Sequence, residues 1–391
     1  MKILHVLASP HLGGAEIMCL LLAKAQMFAG HDVLVHLMEG GATQTYAEAE
    51  SIPCVLREAN AAGGRRAYWN ELNILLRQTA ADFKPEIVHS HVPKTNLVSH
   101  RTLPDLKIPW VTTIHGSWRQ FAYSTQVVER PLLKPYLLLR HAAGDYLSTR
   151  SASRIVAISD YVKGQLRQVG VSRKKLCVVH DGIPFNPGTI TRAEARTLFK
   201  LPADAFVIGS LGHFAPVKGF DLLIDAFARV AEDIEHSCLL IAGGDILGDN
   251  SVRNSLQNQI NQLRLTDRIR LLGALDTRQG FLGCLDLFAV ASRTEGFSLA
   301  LVEAMQHGLA SVVTSAGGCS EAARPEQESL VFASGDAGHL ADQLRVLAQN
   351  ADLRSKLGTA ARLRAQSYLT LNRCAAEYEK VYEEVNNRTV T

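Results

Sequence analysis

The chain has 391 residues, 47% hydrophobic and 20% charged, with 41 Lys and Arg against 38 Asp and Glu. That length suits two domains rather than one α/β core, and the composition is ordinary for a globular enzyme. A net charge of +3 is too small to point to nucleic acid, no apolar run reaches transmembrane length, and the first residues read as a strand rather than a signal peptide.

Lys2 to Ala8 (KILHVLA) is a short apolar run, followed by PHLGGAE, a helical pattern from Ile17 to Phe28, a stop at Gly30–His31 and a second strand over Asp32 to Leu37. A strand, Gly-rich turn, helix and strand in that order predict a parallel sheet. Gly13 and Gly14 let the backbone approach a ligand and supply N–H groups at the helix start. They do not form the G-x-G-x-x-G pattern, and a plain tight turn would look the same. Further strands read at Glu86–His91, Trp110–His115, Arg154–Ile158 and Lys175–His180, with helices over Tyr68–Phe83 and Glu129–Arg140. His89, His91 and His115 fall at carboxyl ends of these strands, the edge where open parallel sheets bind ligands. A hydrogen-bonded structural role is the ordinary one for any single histidine of this kind.

Residues 117–150 mix Trp, Phe and Tyr with Arg119, Arg130, Lys134, Arg140 and Arg150, and Arg65 and Arg66 add to the charge. This reads either as a basic amphipathic surface for peripheral contact with the inner membrane surface, or as a helix packing Leu137–Leu139 into the core. HDGIPFNPGTITRAEAR (180–196) is a Gly- and Pro-rich linker. A second strand-turn-helix unit begins at Phe206–Leu211 and continues through GHFAPVKGFDLLIDAFARV, which carries His213 and Lys218. Strands follow at Cys238–Ala242, which runs into Gly243–Gly244, and at Arg268–Leu272.

The densest signal is residues 292–308, SRTEGFSLALVEAMQHG, after a buried strand over Leu285 to Ala291. Thr294 reads as the helix cap, Glu295 sits at the positive end of the dipole, and Gly308 closes the C-terminus. A turn that presents N–H groups at a helix start is an anion site. With Glu295 at its mouth and Glu303 about two turns down, it suits a ligand with a phosphate group and a polyhydroxy part, such as a nucleotide sugar. The bland reading is a capping carboxylate and a solvated helix face. Ala310–Thr314 is a further strand, and helices read over Asp336–Gln349, Leu353–Gln366 and Leu369–Val385, the last with Tyr378 and Tyr382 on one side.

Taken together, GGAE, Lys218–Gly219 and Glu295-x7-Glu303, in that order, resemble the retaining family 4 glycosyltransferases. The resemblance implies a GT-B fold, α/β, with two Rossmann-like domains facing across a cleft. The acceptor-side domain would be residues 1–182 plus a crossover helix at about 369–391, and the nucleotide-sugar domain 183–368. It implies a catalytic set of Glu295, His115 and Lys218, with His115 near the donor sugar. Donor contacts would come from Gly13, Gly14, His213, Lys218, Gly243, Gly244, Leu272, the backbone of Gly296, Phe297, Ser298 and Leu299, and Glu303 on the ribose hydroxyls. His213 stands where the family has Arg, and Asp181 where it has Asn. A neutral imidazole carries no fixed charge: a neighbour supplies it, or His213 works protonated, or turnover is weaker.

Seven scattered cysteines without C-x-x-C predict a reduced, cytoplasmic chain without structural zinc. No Asp-x-Asp occurs, so a metal–diphosphate clamp of that type lacks ligands, and no metal or cofactor is expected. The expected partners are a nucleotide-sugar donor and a glycan or lipid-linked acceptor of surface polysaccharide or lipopolysaccharide synthesis. A GT-B epimerase or phosphorylase, and a non-catalytic sugar-nucleotide binder, are the alternatives.

Overall fold

A computed structural model describes residues 1–116, 122–123, 131–245, 249–275 and 278–389. The chain forms two compact units. One contains the N-terminal strands, Tyr136–Pro184 and Thr370–Thr391; the other contains Phe185–Leu369.

The first unit has seven strands: β1 (Lys2–Leu7), β2 (Asp32–Leu37), β3 (Cys54–Leu56), β4 (Ile87–Ser90), β5 (Trp110–Ile114), β6 (Arg154–Ala157) and β7 (Leu176–Val178). They pair in the order β3-β2-β1-β4-β5-β6-β7, and every pairing is parallel. Their apolar runs are continuous rather than alternating because helices cover both faces; β4 and β5 are buried at every position. The last helix, Leu371–Thr389, belongs to this unit. It buries Cys374, Ala375, Tyr378, Val381, Tyr382 and Val385, a stripe at three- and four-residue spacing. Its start is fastened by an Ile183–Thr370 bridge and by Arg373, whose Nη2 donates to the His180 carbonyl at 2.6 Å.

The second unit has six strands: β8 (Phe206–Leu211), β9 (Ser237–Ala242), β10 (Ile269–Gly273), β11 (Leu287–Val290), β12 (Ser311–Thr314) and β13 (Ser329–Phe332). The order is β10-β9-β8-β11-β12-β13, again all parallel. The Phe220–Val230 helix places Phe220, Leu223, Ile224 and Phe227 in one core with Leu239, Ile241, Leu287 and Ala289 of the sheet.

In each sheet the strand order reverses once, between β1 and β4 and between β8 and β11. Open parallel sheets bind ligands at the carboxyl end of such a switch point. Gly13–Gly14 follow β1 and His91 follows β4; His213 and Lys218 follow β8, and Glu295 follows β11.

Two expectations are corrected here. The helix read over Glu129–Arg140 is observed at Lys134–Thr149; residues 124–130 lie outside the described part, as do Arg119 and Arg130 of the basic segment. That helix does not pack Leu137–Leu139 into the core: Ser148 and Thr149 are its buried residues, and Leu139 is 70% exposed.

Candidate active site

In the second unit three loops at the sheet's carboxyl edge are stitched together by backbone hydrogen bonds. The Gly212 amide donates to Ala242, Phe214 to Gly244 (3.0 Å) and Gly243 to Gly273 (2.7 Å). Gly243 has φ +148, and a Cβ there would lie 1.8 Å from the Gly212 carbonyl, so only glycine lets the chains approach this closely. Gly243, Gly244, Leu272 and His213 are thus neighbours through main-chain geometry, with His213 exposed. Arg253 lies beside them, 5.2 Å over the Phe214 ring.

Lys218 ends the Pro216–Lys218 turn, which Arg293 holds from two sides. The Arg293 amide donates to Val217 at 2.8 Å and its Nη1 to Pro216 at 2.6 Å, while Asp221 binds the same guanidinium. Lys218 Nζ then donates to Glu295 Oε2 at 2.7 Å, and Ser292 Oγ donates to the same oxygen at 3.0 Å. The sequence pair read as catalytic is therefore one ion pair, with Glu295 8% exposed. Its backbone is fixed by a bridge to Gly317, whose φ is +122 and whose Cβ would stand 2.1 Å from the Glu295 carbonyl.

Thr294 is not the helix cap. The helix spans Leu299–Gln306, and Ser298 caps it by accepting from the Leu301 amide at 3.3 Å. The reason is the Glu295–Gly317 bridge: residues 294–298 are held out of helical geometry, so the helix begins four residues later than a Thr294 cap requires. Glu303 is consequently the fifth helical residue, just over one turn down rather than two. Gly308, at φ +72, closes the helix as expected.

Glu303 Oε1 accepts from Arg278 Nη1 at 3.1 Å, while Oε2 is buried without a hydrogen-bond partner. Burial raises its pKa, and Arg278 opposes that rise. A buried acceptor left open costs about 1–3 kcal/mol, which a ligand hydroxyl donating to it would recover. Sequence reasoning missed Arg278, Arg293, Ser292 and Gly317 as supporting residues. Arg278 lies 25 residues from its partner, a separation with no local signal; Ser292, three residues before Glu295, was within reach.

The remaining candidates lie in the first unit. Gly13 caps the Gly14–Phe28 helix, and its amide donates to Glu16 Oε2 at 3.0 Å. The Glu of GGAE thus occupies the Gly13 N–H that was read as open to a ligand; Gly14 is exposed. His115 is partly buried and close to His91, with Nε2 3.5 Å from His91 Nδ1, and burial lowers its pKa to about 4. His89 and His91 are fully enclosed and hydrogen-bonded.

Comparison with known proteins follows the same division. The family described as Glycosyltransferase Family 4 matches residues 12–186, and Glycosyl transferases group 1 matches residues 191–364. An uncharacterised glycosyltransferase of Methanocaldococcus jannaschii is 26% identical, over 77% of this chain and 76% of its own. Mannosylfructose-phosphate synthase of Agrobacterium fabrum is 27% identical over 61% of this chain, and that match spans only 55% of the synthase. A lipopolysaccharide core biosynthesis glycosyltransferase of Rhizobium meliloti is 28% identical over 52% of this chain and 55% of its own. Among solved structures, Anabaena HepE in complex with UDP and glucose superposes with a TM-score of 0.84 at 22% identity, over 98% of this chain and 99% of that one. Sucrose-phosphate synthase of Thermosynechococcus elongatus gives 0.82 at 19% identity, over 99% of both.

Proposed function

Because the chain belongs to the family 4 glycosyltransferases, of GT-B fold, we propose that it moves a hexosyl unit, with retention, from a nucleotide-diphosphate sugar to a glycan or lipid-linked acceptor of surface polysaccharide or lipopolysaccharide synthesis. The observation that carries this is the pair of carboxylates on one strand-turn-helix element: Glu295 held by Lys218, and Glu303 with one buried oxygen open.

Breaking the sugar–diphosphate bond puts negative charge on the β-phosphate while the anomeric carbon becomes cationic. We assign the phosphate charge to Lys218, His213 and the first-turn N–H groups of the Leu299–Gln306 helix, without a metal. When a diphosphate takes Lys218, Glu295 is released from its ion pair to hold sugar hydroxyls and stabilise the cationic ring. Glu303 holds the ribose hydroxyls with Oε2, and Arg278 orients it. Gly14 and His115 of the first unit keep the donor roles that the family resemblance gives them, while the Gly13 amide is taken by Glu16. Retention follows if the acceptor attacks on the leaving-group face, with the diphosphate taking the proton.

The acceptor reading draws on the Lys134–Thr149 helix and the residues before it, on the cytoplasmic membrane face. Leu132, Leu133, Tyr136, Leu139 and Leu147 are exposed beside Lys134 and Arg140. An apolar stripe with flanking cations suits an anionic bilayer. Among the described residues no helix is long and apolar enough to cross a membrane. Flotation with anionic and neutral vesicles checks this: the chain should float with the anionic ones and lose that on Leu139→Asp.

Calorimetric titration with UDP-, GDP- and ADP-sugars tests the donor site and names the base. One of them should bind, and Glu303→Ala should weaken that binding roughly 10- to 100-fold; failure of all three would overturn the proposal. Retention is checked on the product, whose anomeric proton should report the donor's own configuration.

A further inference from the structure

The interior of the first unit contains polar side chains that the proposed chemistry does not use. His5, Gln26, His89 and Tyr382 are fully buried and His91 is 2% exposed. They make one continuous hydrogen-bonded chain. His115 Nε2 lies 3.5 Å from His91 Nδ1, His91 Nε2 is 2.9 Å from His5 Nδ1, and His5 Nε2 is 2.7 Å from Gln26 Oε1. Gln26 Nε2 donates to Tyr382 Oη at 3.1 Å, Tyr382 Oη is 2.7 Å from His89 Nδ1, and His89 Nε2 is 2.7 Å from Thr113 Oγ1, which meets Tyr378 Oη at 2.9 Å.

We propose that this chain fixes the tautomer of His115, with Gln26 and Tyr382 as positioning residues. A neutral imidazole has one donor and one acceptor nitrogen, and the partner of one decides the state of the other. The Gln26 carbonyl accepts from His5 Nε2, so His5 Nδ1 must accept from His91 Nε2. His91 Nδ1 in turn must accept from His115 Nε2. On the other branch the Gln26 amide donates to Tyr382, whose hydroxyl donates to His89 Nδ1, leaving His89 Nε2 to donate to Thr113. Every ring is then protonated on Nε2, and His115 keeps Nδ1 as an acceptor. Only one other arrangement satisfies the chain: a flipped amide, with every ring reversed to Nδ1–H. The polarity therefore changes as a whole, and the orientation of one buried amide sets it. Burial keeps these rings uncharged, as the chain requires.

Functionally, His115 would accept a hydrogen bond from a sugar hydroxyl. That consequence rests on the donor role proposed above; the chain itself does not. His5, His91 and Cys19 also bring three metal-ligating atoms within 4.8 Å of one another. An ion between the facing nitrogens of the two rings would force His91 to carry its proton on Nδ1, which separates the two readings.

The experiment is long-range proton–nitrogen correlation on the full chain with labelled histidine, resonances assigned by single His→Asn variants. His5, His89, His91 and His115 should all be Nε2–H. A proton on Nδ1 of any of the four, or a charged ring, overturns the assignment. In Gln26→Met, and in Tyr382→Phe should the first variant not fold, His115 should sample both tautomers; a His115 that stays wholly Nε2–H removes the positioning role. Turnover in these variants should fall on the order of tenfold or more, as for a ring protonated on the wrong nitrogen. Spectra that fit while no nucleotide sugar binds would keep the chain and refute only the donor reading.

Discussion

The two units share an all-parallel sheet with one reversal of strand order, yet they fill the edge at that reversal differently. In the first, the groups behind β1, β4 and β5 are neutral and interlocked, and the last helix seals them with Tyr378 and Tyr382. In the second, the groups are charged and paired: Lys218 with Glu295, Arg278 with Glu303, and Arg293 with Asp221. Removing charge should therefore have opposite consequences in the two places. In the second unit it should cost turnover or affinity, because charge there is available to exchange partners with a ligand. In the first it should change stability and leave chemistry alone.

The largest expected effect is Lys218→Ala, which removes the fixed cation. Turnover should fall about 10²- to 10³-fold, roughly 3–4 kcal/mol in the transition state, with a melting temperature near that of the native chain. Equal losses in turnover and stability would show that Lys218 is structural and erase the contrast.

The counterpart is Asp181→Asn in the first unit. Asp181 is buried, its Oδ1 has no partner, and burial raises its pKa from 3.8 to about 7 against the pull of Arg373. A raised folded-state pKa means the folded chain binds the proton more tightly, so the stabilisation is present at low pH and is lost as pH rises through about 7. At pH 8 the asparagine variant should be more stable by on the order of 2–4 kcal/mol, at about 1.4 kcal/mol per unit. His5 and His115, lowered from 6.5 to about 4, act with the other sign, and stability falls as pH drops through that range. Denaturant melts from pH 4 to 7, between the unfolded and folded values of Asp181, should therefore show stability rising more steeply with pH in the variant, because the opposing fall from Asp181 is gone. Equal slopes in the two chains over that range would mean that Asp181 titrates normally.

Much of this was legible beforehand for one reason. Strands buried on both faces must be continuous apolar runs, so β2 and β8 match their predicted limits, Asp32–Leu37 and Phe206–Leu211. β3 and β13 escaped: β3 has no fully buried position and β13 buries only its two ends, so neither stands out as a buried apolar run. Lys218, Glu295 and Glu303 carried a signal in their spacing, whereas the cap did not: Thr294 and Ser298 are both capping types. What decided between them was the bridge to Gly317, 22 residues away. The histidine chain was half visible. His89, His91 and His115 declared themselves as strand-end residues, but Gln26 and Tyr382 reach them from elements 356 residues apart in sequence, and nothing local announces that.

Glu303→Ala asks whether the open buried oxygen is a ligand acceptor. Donor affinity should fall by roughly 10- to 100-fold, the worth of hydrogen bonds to a charged group at about 1.5–3 kcal/mol, and turnover at saturating donor should change little. Calorimetry of the two proteins with the same nucleotide sugar checks it. An unchanged Kd would leave Glu303 as no more than the partner of Arg278.

The smallest effect is expected at His213, and it sharpens the contrast most finely. The residue is exposed on a loop whose backbone is fixed on both sides by the Gly212 and Phe214 amides. A longer side chain can therefore enter without moving the main chain. His213→Arg adds a permanent guanidinium where the family resemblance places one, beside the proposed position of the donor β-phosphate. If charge is the limiting quantity in the second unit, turnover should hold or rise by less than about tenfold, since an exposed added cation is worth roughly 1 kcal/mol or less. The gain should shrink as salt is raised. A loss of more than tenfold at every salt concentration would mean that the imidazole itself makes a contact the guanidinium cannot. The second unit would then rely, as the first does, on a ring with one donor and one acceptor.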